Sequence, residues 1–205
     1  MARDRSPIVK QSRREGYALH PKAHKIMVKR TTIPGEHGGG RQSKPSGYSL
    51  QLREKQKVRR LYGLLEKQFS NLMKEANRSS GQSGQVLLQL LERRLDNVVY
   101  RAGFATSRRG ARQLTGHGHF LLNGKRVDIP SIRVNEGDEI TVRTKSAGNE
   151  YFKQLAEVRA ASIQGPLGWI TSDAKKMTIK ITGLPTREEA EPDINEQLIV
   201  EFYSR

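Results

Sequence analysis

At 205 residues and 35% hydrophobic content, the chain has material for one large domain or two small ones around a lean core. Thirty-seven Lys and Arg against twenty-one Asp and Glu give a net charge of +16, an excess that calls for a polyanionic partner, usually nucleic acid. The absence of cysteine excludes disulfides and thiolate zinc sites, and no apolar stretch approaches the roughly 20 residues that span a bilayer.

Residues 1–48 read as a basic, irregular N-terminal arm. Pro7, Pro21, Pro34 and Pro45 interrupt it, Gly38-Gly39-Gly40 follows Gly35, and the apolar residues keep no period. Residues 1–60 hold sixteen basic and four acidic side chains, a net of +12. Such a segment buries too little apolar surface to offset its chain entropy, so it is either a disordered tail or an extended arm ordered by RNA phosphates. Tyr17, His20, His24 and Tyr48, planar side chains able to stack on unpaired bases, favour the arm. Its candidate phosphate contacts are Arg3, Arg5, Arg13, Arg14, Lys22, Arg41 and Lys44. The first residues lack the apolar segment of a signal peptide, which predicts a cytoplasmic protein.

Residues 49–91 read as a helical domain. Leu50, Leu61, Leu64, Leu65, Phe69, Leu72 and Met73 recur at three- and four-residue intervals, which predicts one amphipathic helix running to Ala76. Its first half carries a basic face of Arg53, Lys55, Lys57, Arg59 and Arg60, a second candidate RNA surface. After a loop at Arg78–Gly84, an apolar stripe from Val86 to Val99 predicts one long helix or two consecutive ones, ending near Gly103.

Residues 92–149 predict two helices and a small antiparallel sheet. Ser107 caps a short helix from Arg108 to Thr115 that Gly116 ends. Phe120-Leu121-Leu122 and Arg126-Val127-Asp128 flank Asn123-Gly124-Lys125, a tight hairpin turn, and Glu139–Arg143 alternates as a further strand. Arg94, Arg101, Arg108, Arg109, Arg112, His117, Asn123, Lys125 and Arg126 are the candidate RNA contacts here. The helix start at Ser107 would add backbone N–H groups beside Arg108, Arg109 and Arg112.

Residues 150–205 carry a net of −2, against +6 for residues 61–149, so the expected molecule is electrostatically two-sided. A helix from Glu150 to Ile163, strands at 169–171 and 177–181, and a helix from Ile194 to Tyr203 opened by an Asp193/Glu196 capping box are expected, completing the helical domain. The predicted class is α+β.

No catalytic constellation emerges. Of His20, His24 and His37, the i, i+4 pair has no nearby third carboxylate or thiolate, and Gly38-Gly39-Gly40 lacks the Gly-Lys-Ser/Thr ending of a phosphate loop, so no cofactor is expected. Arg94-Leu95-Asp96 matches part of a pseudouridine synthase motif, but no separate catalytic domain remains. Asp96 is expected to cap a helix or to pair with Arg93 or Arg101.

The stretch Leu91-Glu92-Arg93-Arg94-Leu95-Asp96-Asn97-Val98-Val99-Tyr100-Arg101, followed by Ala105-Thr106-Ser107-Arg108-Arg109-Gly110-Ala111-Arg112-Gln113-Leu114, resembles the S-four RNA-binding domain, with Thr115 where that signature has an aliphatic residue. Ser12–Gly16, Pro34–Gly38, Gln51–Arg60 and Asp193–Arg205 resemble the bacterial ribosomal protein S-four family in its cysteine-free form. The resemblance implies a structural protein that binds small-subunit rRNA at a multi-helix junction of the 5′ domain and nucleates assembly of the subunit body. It also implies contact with ribosomal protein S-five through a surface tied to decoding accuracy, with Glu201, Tyr203 and Arg205 as the interface. A place near the path of incoming mRNA and, in some bacteria, repression of its own operon are implied too. The rival readings are an RNA-modifying enzyme targeted by an S-four domain and a stand-alone factor that rescues stalled ribosomes.

Overall fold

A computed structural model of the protein describes residues 4–40, 43–160 and 167–204. Its helices up to the module are α1 (Ile8–Glu15), α2 (Pro21–Lys29), α3 (Gly47–Leu61), α4 (Glu66–Arg78) and α5 (Ser83–Glu92), with a short 3-10 helix at Glu36–Gly39. There follow α6 (Leu95–Arg101), α7 (Arg108–Gly116), β1 (Phe120–Leu122), β2 (Lys125–Val127) and β3 (Glu139–Val142). The chain continues through α8 (Thr144–Ala147), α9 (Glu150–Lys153), α10 (Leu155–Ala160), β4 (Ile170–Asp173), β5 (Thr178–Ile181) and α11 (Glu196–Tyr203). The fold is α+β, and it divides into two compact units: the chain up to Leu87 together with Asp193 onward, and Leu88–Pro192. No described helix is long and apolar enough to cross a membrane.

In the first unit, the arm expected to be irregular is helical over much of its described length. Its order comes from polar devices that leave no apolar period. Pro21 at the first position of α2 suits the helix start, and His20 Nδ1 accepts the Lys22 N–H at 3.0 Å. Ser12, fully buried, donates to the Ile8 carbonyl and accepts the Leu19 N–H. The single helix expected through Ala76 is two. Gly63, at φ 64°, takes the left-handed position after α3, and the N–H groups of Gly63 and Leu64 return to the carbonyls of Arg60 and Arg59. Those two bonds are the Schellman signature, and they turn the chain into α4. α11 packs along α3, capped by Asn195, which accepts the Gln197 N–H, and not by the Asp193/Glu196 box.

The second unit is a five-stranded antiparallel sheet, ordered β2-β1-β3-β5-β4, with α6 and α7 beside it. Asn123 (φ 49°) and Gly124 (φ 78°) form the tight turn that sets Phe120 opposite Val127. The expected strands at 169–181 join this sheet, because β5 pairs with β3, so residues 150–192 group with the module and only 193–205 with the helical unit. The apolar stripe is two helices: Arg94 is extended between α5 and α6, where Leu95 N–H bonds Ile132 O and Val134 N–H bonds Arg93 O. The helix expected from Glu150 is broken at Gln154, and its expected end at Ile163 lies outside the described residues. Leu95, Val98, Val99, Phe104, Phe120, Ile140, Phe152 and Ile179 make a core at 0–1% exposure, with Phe120 and Phe152 edge to face at 6.1 Å.

Candidate nucleic-acid interface

In the sheet unit the arginines divide into those held inward and those left outward. Glu92, completely buried, accepts Arg101 twice, Nε to Oε2 at 2.9 Å and Nη2 to Oε1 at 2.8 Å. Asn97 bridges, donating to Glu92 Oε2 (2.8 Å) and accepting Arg108 Nε (2.9 Å). Arg108 Nη2 donates to Glu191 Oε1 at 2.6 Å, while its guanidinium lies 4.6 Å from the centre of the Tyr100 ring. Asp96 accepts Arg94 through both oxygens, at 3.2 and 3.1 Å, and Arg112 Nε lies 3.5 Å away. Asp96 thus pairs with Arg94 and Arg112, whereas Arg93 donates to Val134 O and Asn135 and Arg101 to Glu92. Arg108 and Arg112, four residues apart, lie on one helical face, which turns both toward α6. Charges this deep persist only when paired, so Arg94, Arg101, Arg108 and Arg112 act first as part of the fold.

The exposed side of α7 carries Arg109, Gln113 and, just past its end, His117. Close approach of backbone extends this surface to the hairpin. A Cβ on Gly118 would lie 2.8 Å from Arg126 Nε, so only glycine lets the Arg126 guanidinium rest on that turn, where Arg143 Nη1 also donates to Gly118 O at 3.2 Å. Lys125 is exposed at the hairpin tip. Asn123 is exposed, but its amide donates to Asp138 and its oxygen accepts the Glu139 N–H, so it braces the turn. His119 Nδ1 lies 2.9 Å from Ser146 Oγ, and burial, with His117 and Arg143 nearby, pushes its pKa below the usual imidazole range.

In the helical unit the expected basic face of α3 is largely consumed internally. Glu15, whose side chain is fully buried, accepts both Arg53 and Arg60. Burial pushes the Glu15 carboxyl up against the pull of those two arginines, and its Oε2 accepts no hydrogen bond. Lys55, 5% exposed, donates to Glu66 at 2.7 Å and lies 4.4 Å over the Phe202 ring. Lys57 binds Glu54 and Asp193 O, and Arg59 binds Gln56, Leu64 O and Glu66. Burial would raise the Glu66 carboxyl, but hydrogen bonds from Lys55 and Tyr203 hold it below the usual range.

What stays exposed is the outside of α1 and α2. Arg5, Lys10, Arg14, Lys22, Lys25, Lys29 and Arg30 all face solvent, as does Lys44 beyond them. Arg13 is turned aside, both its Nε and Nη2 donating to Thr32 O. Lys10, Lys25, Lys29, Arg30 and Arg143 were not among the residues singled out from sequence. The i, i+3, i+7 spacing of Lys22, Lys25 and Lys29 becomes a signal once the segment is known to be helical. Of the expected tail interface, Glu201 accepts Gln51, and Tyr203 donates to Glu66 at 2.9 Å, with burial and that carboxylate raising its pKa. Arg3, Arg41 and Arg205 lie outside the described residues. Among the described residues no His, Cys, Asp and Glu cluster fits a metal ion.

The comparisons with known proteins agree along the whole chain. Residues 3–92 match the model of the ribosomal protein S4/S9 N-terminal domain, and residues 93–140 match that of the S4 domain. The chain is 50% identical to the small ribosomal subunit protein uS4 of Herpetosiphon aurantiacus and to that of Clostridioides difficile, and 48% identical to that of Thermus thermophilus. Each match covers all of both sequences.

Proposed function

The chain belongs to the S4 family of small-subunit ribosomal proteins, and from that premise we propose that it is a primary rRNA-binding protein that nucleates assembly of the small-subunit body. It is a structural component of the ribosome and no enzyme. The RNA it binds first is a multi-helix junction of the 5′ domain, where phosphates of several helices crowd together and repel. Cations placed among them release condensed counterions and lower the cost of that crowding.

One observation carries this reading. After internal carboxylates have claimed the buried arginines, each unit still turns cations outward, on α1 and α2 in the first and at Arg109, Lys125 and Arg126 beside His117 in the second. Recognition is by shape, since A-form RNA hides its base edges in a deep, narrow groove. α11, with Glu201 exposed, is the side offered to ribosomal protein S-five, and through it to decoding accuracy.

Binding to a transcript of the 5′ domain across a salt series tests the reading. The expected log–log slope is several units, of order −0.7 to −0.9 per phosphate neutralised. A nearly flat dependence, or loss of the protein from small subunits washed in high salt, overturns it.

A further inference from the structure

Glu191 differs from the other carboxylates of the arginine frame in where it stands. Glu92 has no exposed side-chain surface and Asp96 has 5%, whereas Glu191 has 15% and forms the rim. One of its oxygens receives two guanidinium groups, Arg108 at 2.6 Å and Arg101 at 3.4 Å. Two arginine forks converging on a single oxygen is also how proteins hold a phosphate.

The turn that carries Glu191 is fixed. Glu189 accepts the Gly168 N–H at 2.8 Å and the Thr186 N–H at 3.0 Å, and Ala190 between them is buried. Arg187 Nη1 reaches the Glu191 carbonyl at 3.4 Å. The carboxylate is therefore presented to Arg101 and Arg108 by a braced loop.

We infer that Glu191 is a specificity-determining residue: it fills an anion seat between Arg101 and Arg108 that an RNA phosphate would otherwise take. With the seat filled, those arginines are withheld from the phosphates that every RNA offers. Discrimination then rests on Arg109, Arg126 and their neighbours, whose spacing only the right RNA shape matches. The inference rests on the rRNA-binding reading above.

The test uses the full chain and its Glu191→Gln variant, which keeps shape and removes charge. Two RNAs are compared, the 5′-domain transcript and a duplex of unrelated sequence. The variant is expected to bind the unrelated duplex severalfold tighter, with a salt slope steeper by about one, and to lose preference for the transcript by the same factor. Adding Arg108→Gln should restore the preference. Glu188→Gln, the same charge change at an exposed position of the same turn, should leave it alone. An unchanged preference in Glu191→Gln, or an equal loss in Glu188→Gln, overturns the inference. A second readout does not use RNA: at matched ionic strength, inorganic phosphate should raise the melting temperature of Glu191→Gln more than that of the wild type. Equal shifts overturn it, even if the variant is less stable. Should the wild type show no preference for the transcript, the rRNA-binding reading fails, while the phosphate melt still decides on the seat.

Discussion

The unit built from residues 1–87 and 193–205 carries twenty Lys and Arg against nine Asp and Glu; the unit of residues 88–192 carries seventeen against twelve. The first turns Lys10, Arg14, Lys22, Lys25 and Lys29 outward on two short helices. The second draws four of its arginines into a frame around Glu92, Asp96 and Glu191. A cation in the sequence is thus not by itself a contact, since carboxylates of the same fold claim Arg94, Arg101, Arg108 and Arg112. Glu15 with Arg53 and Arg60 repeats that internal pairing in the first unit.

The contrast is broken most severely at Arg94. Arg94→Ala leaves Asp96 buried with half its partners, which should cost about 3–5 kcal/mol and appear as a large fall in the melting temperature. If the melt moves by less than a degree, the frame is not structural. The outer face of α2 should behave in the opposite way. Replacing Lys22, Lys25 and Lys29 together by Ala should lower rRNA affinity at least tenfold and flatten the salt slope by about two to three, with the melt unchanged, as phosphate contacts do. A lost melt there would show that α2 depends on those lysines for its fold. The smallest effect lies at Glu66. Its carboxyl is lowered in the folded state, so its contribution is present above the unfolded carboxylate range and fades as pH falls through its depressed value. Its side chain is about half exposed, so Glu66→Gln should cost under about 1 kcal/mol at pH 7 and less at pH 3, as measured by denaturant midpoints.

The sheet unit was the more legible of the two in sequence. Asn123-Gly124, the alternation at Glu139–Val142 and the Ser107 cap act within a few residues, so their spacing reveals them. The helical arm was opaque because α1 buries Gln11 and Ser12, not an apolar stripe, and is secured by Glu15 to partners 38 and 45 residues away. The basic face of α3 and the arginines of the module were visible as charges, but their internal partners come from distant segments. Lys55 meets Phe202, and Arg108 meets Glu191 across 83 residues. The family signature itself was plain from Leu91 to Leu114.

Because the first unit closes only when Asp193 onward returns to α3, order of synthesis matters to it. The sheet unit is one unbroken stretch of chain and is finished earlier, although it begins later. At translation rates of about 5–20 residues per second, α3 waits roughly 7–27 s between emerging and meeting α11. During that interval Gln51, Lys55 and Phe69 lack the neighbours Glu201, Phe202 and Tyr203 that cover them in the finished protein. A nascent chain halted just before residue 193 thus has every residue of the sheet unit but lacks the segment that closes the cationic one.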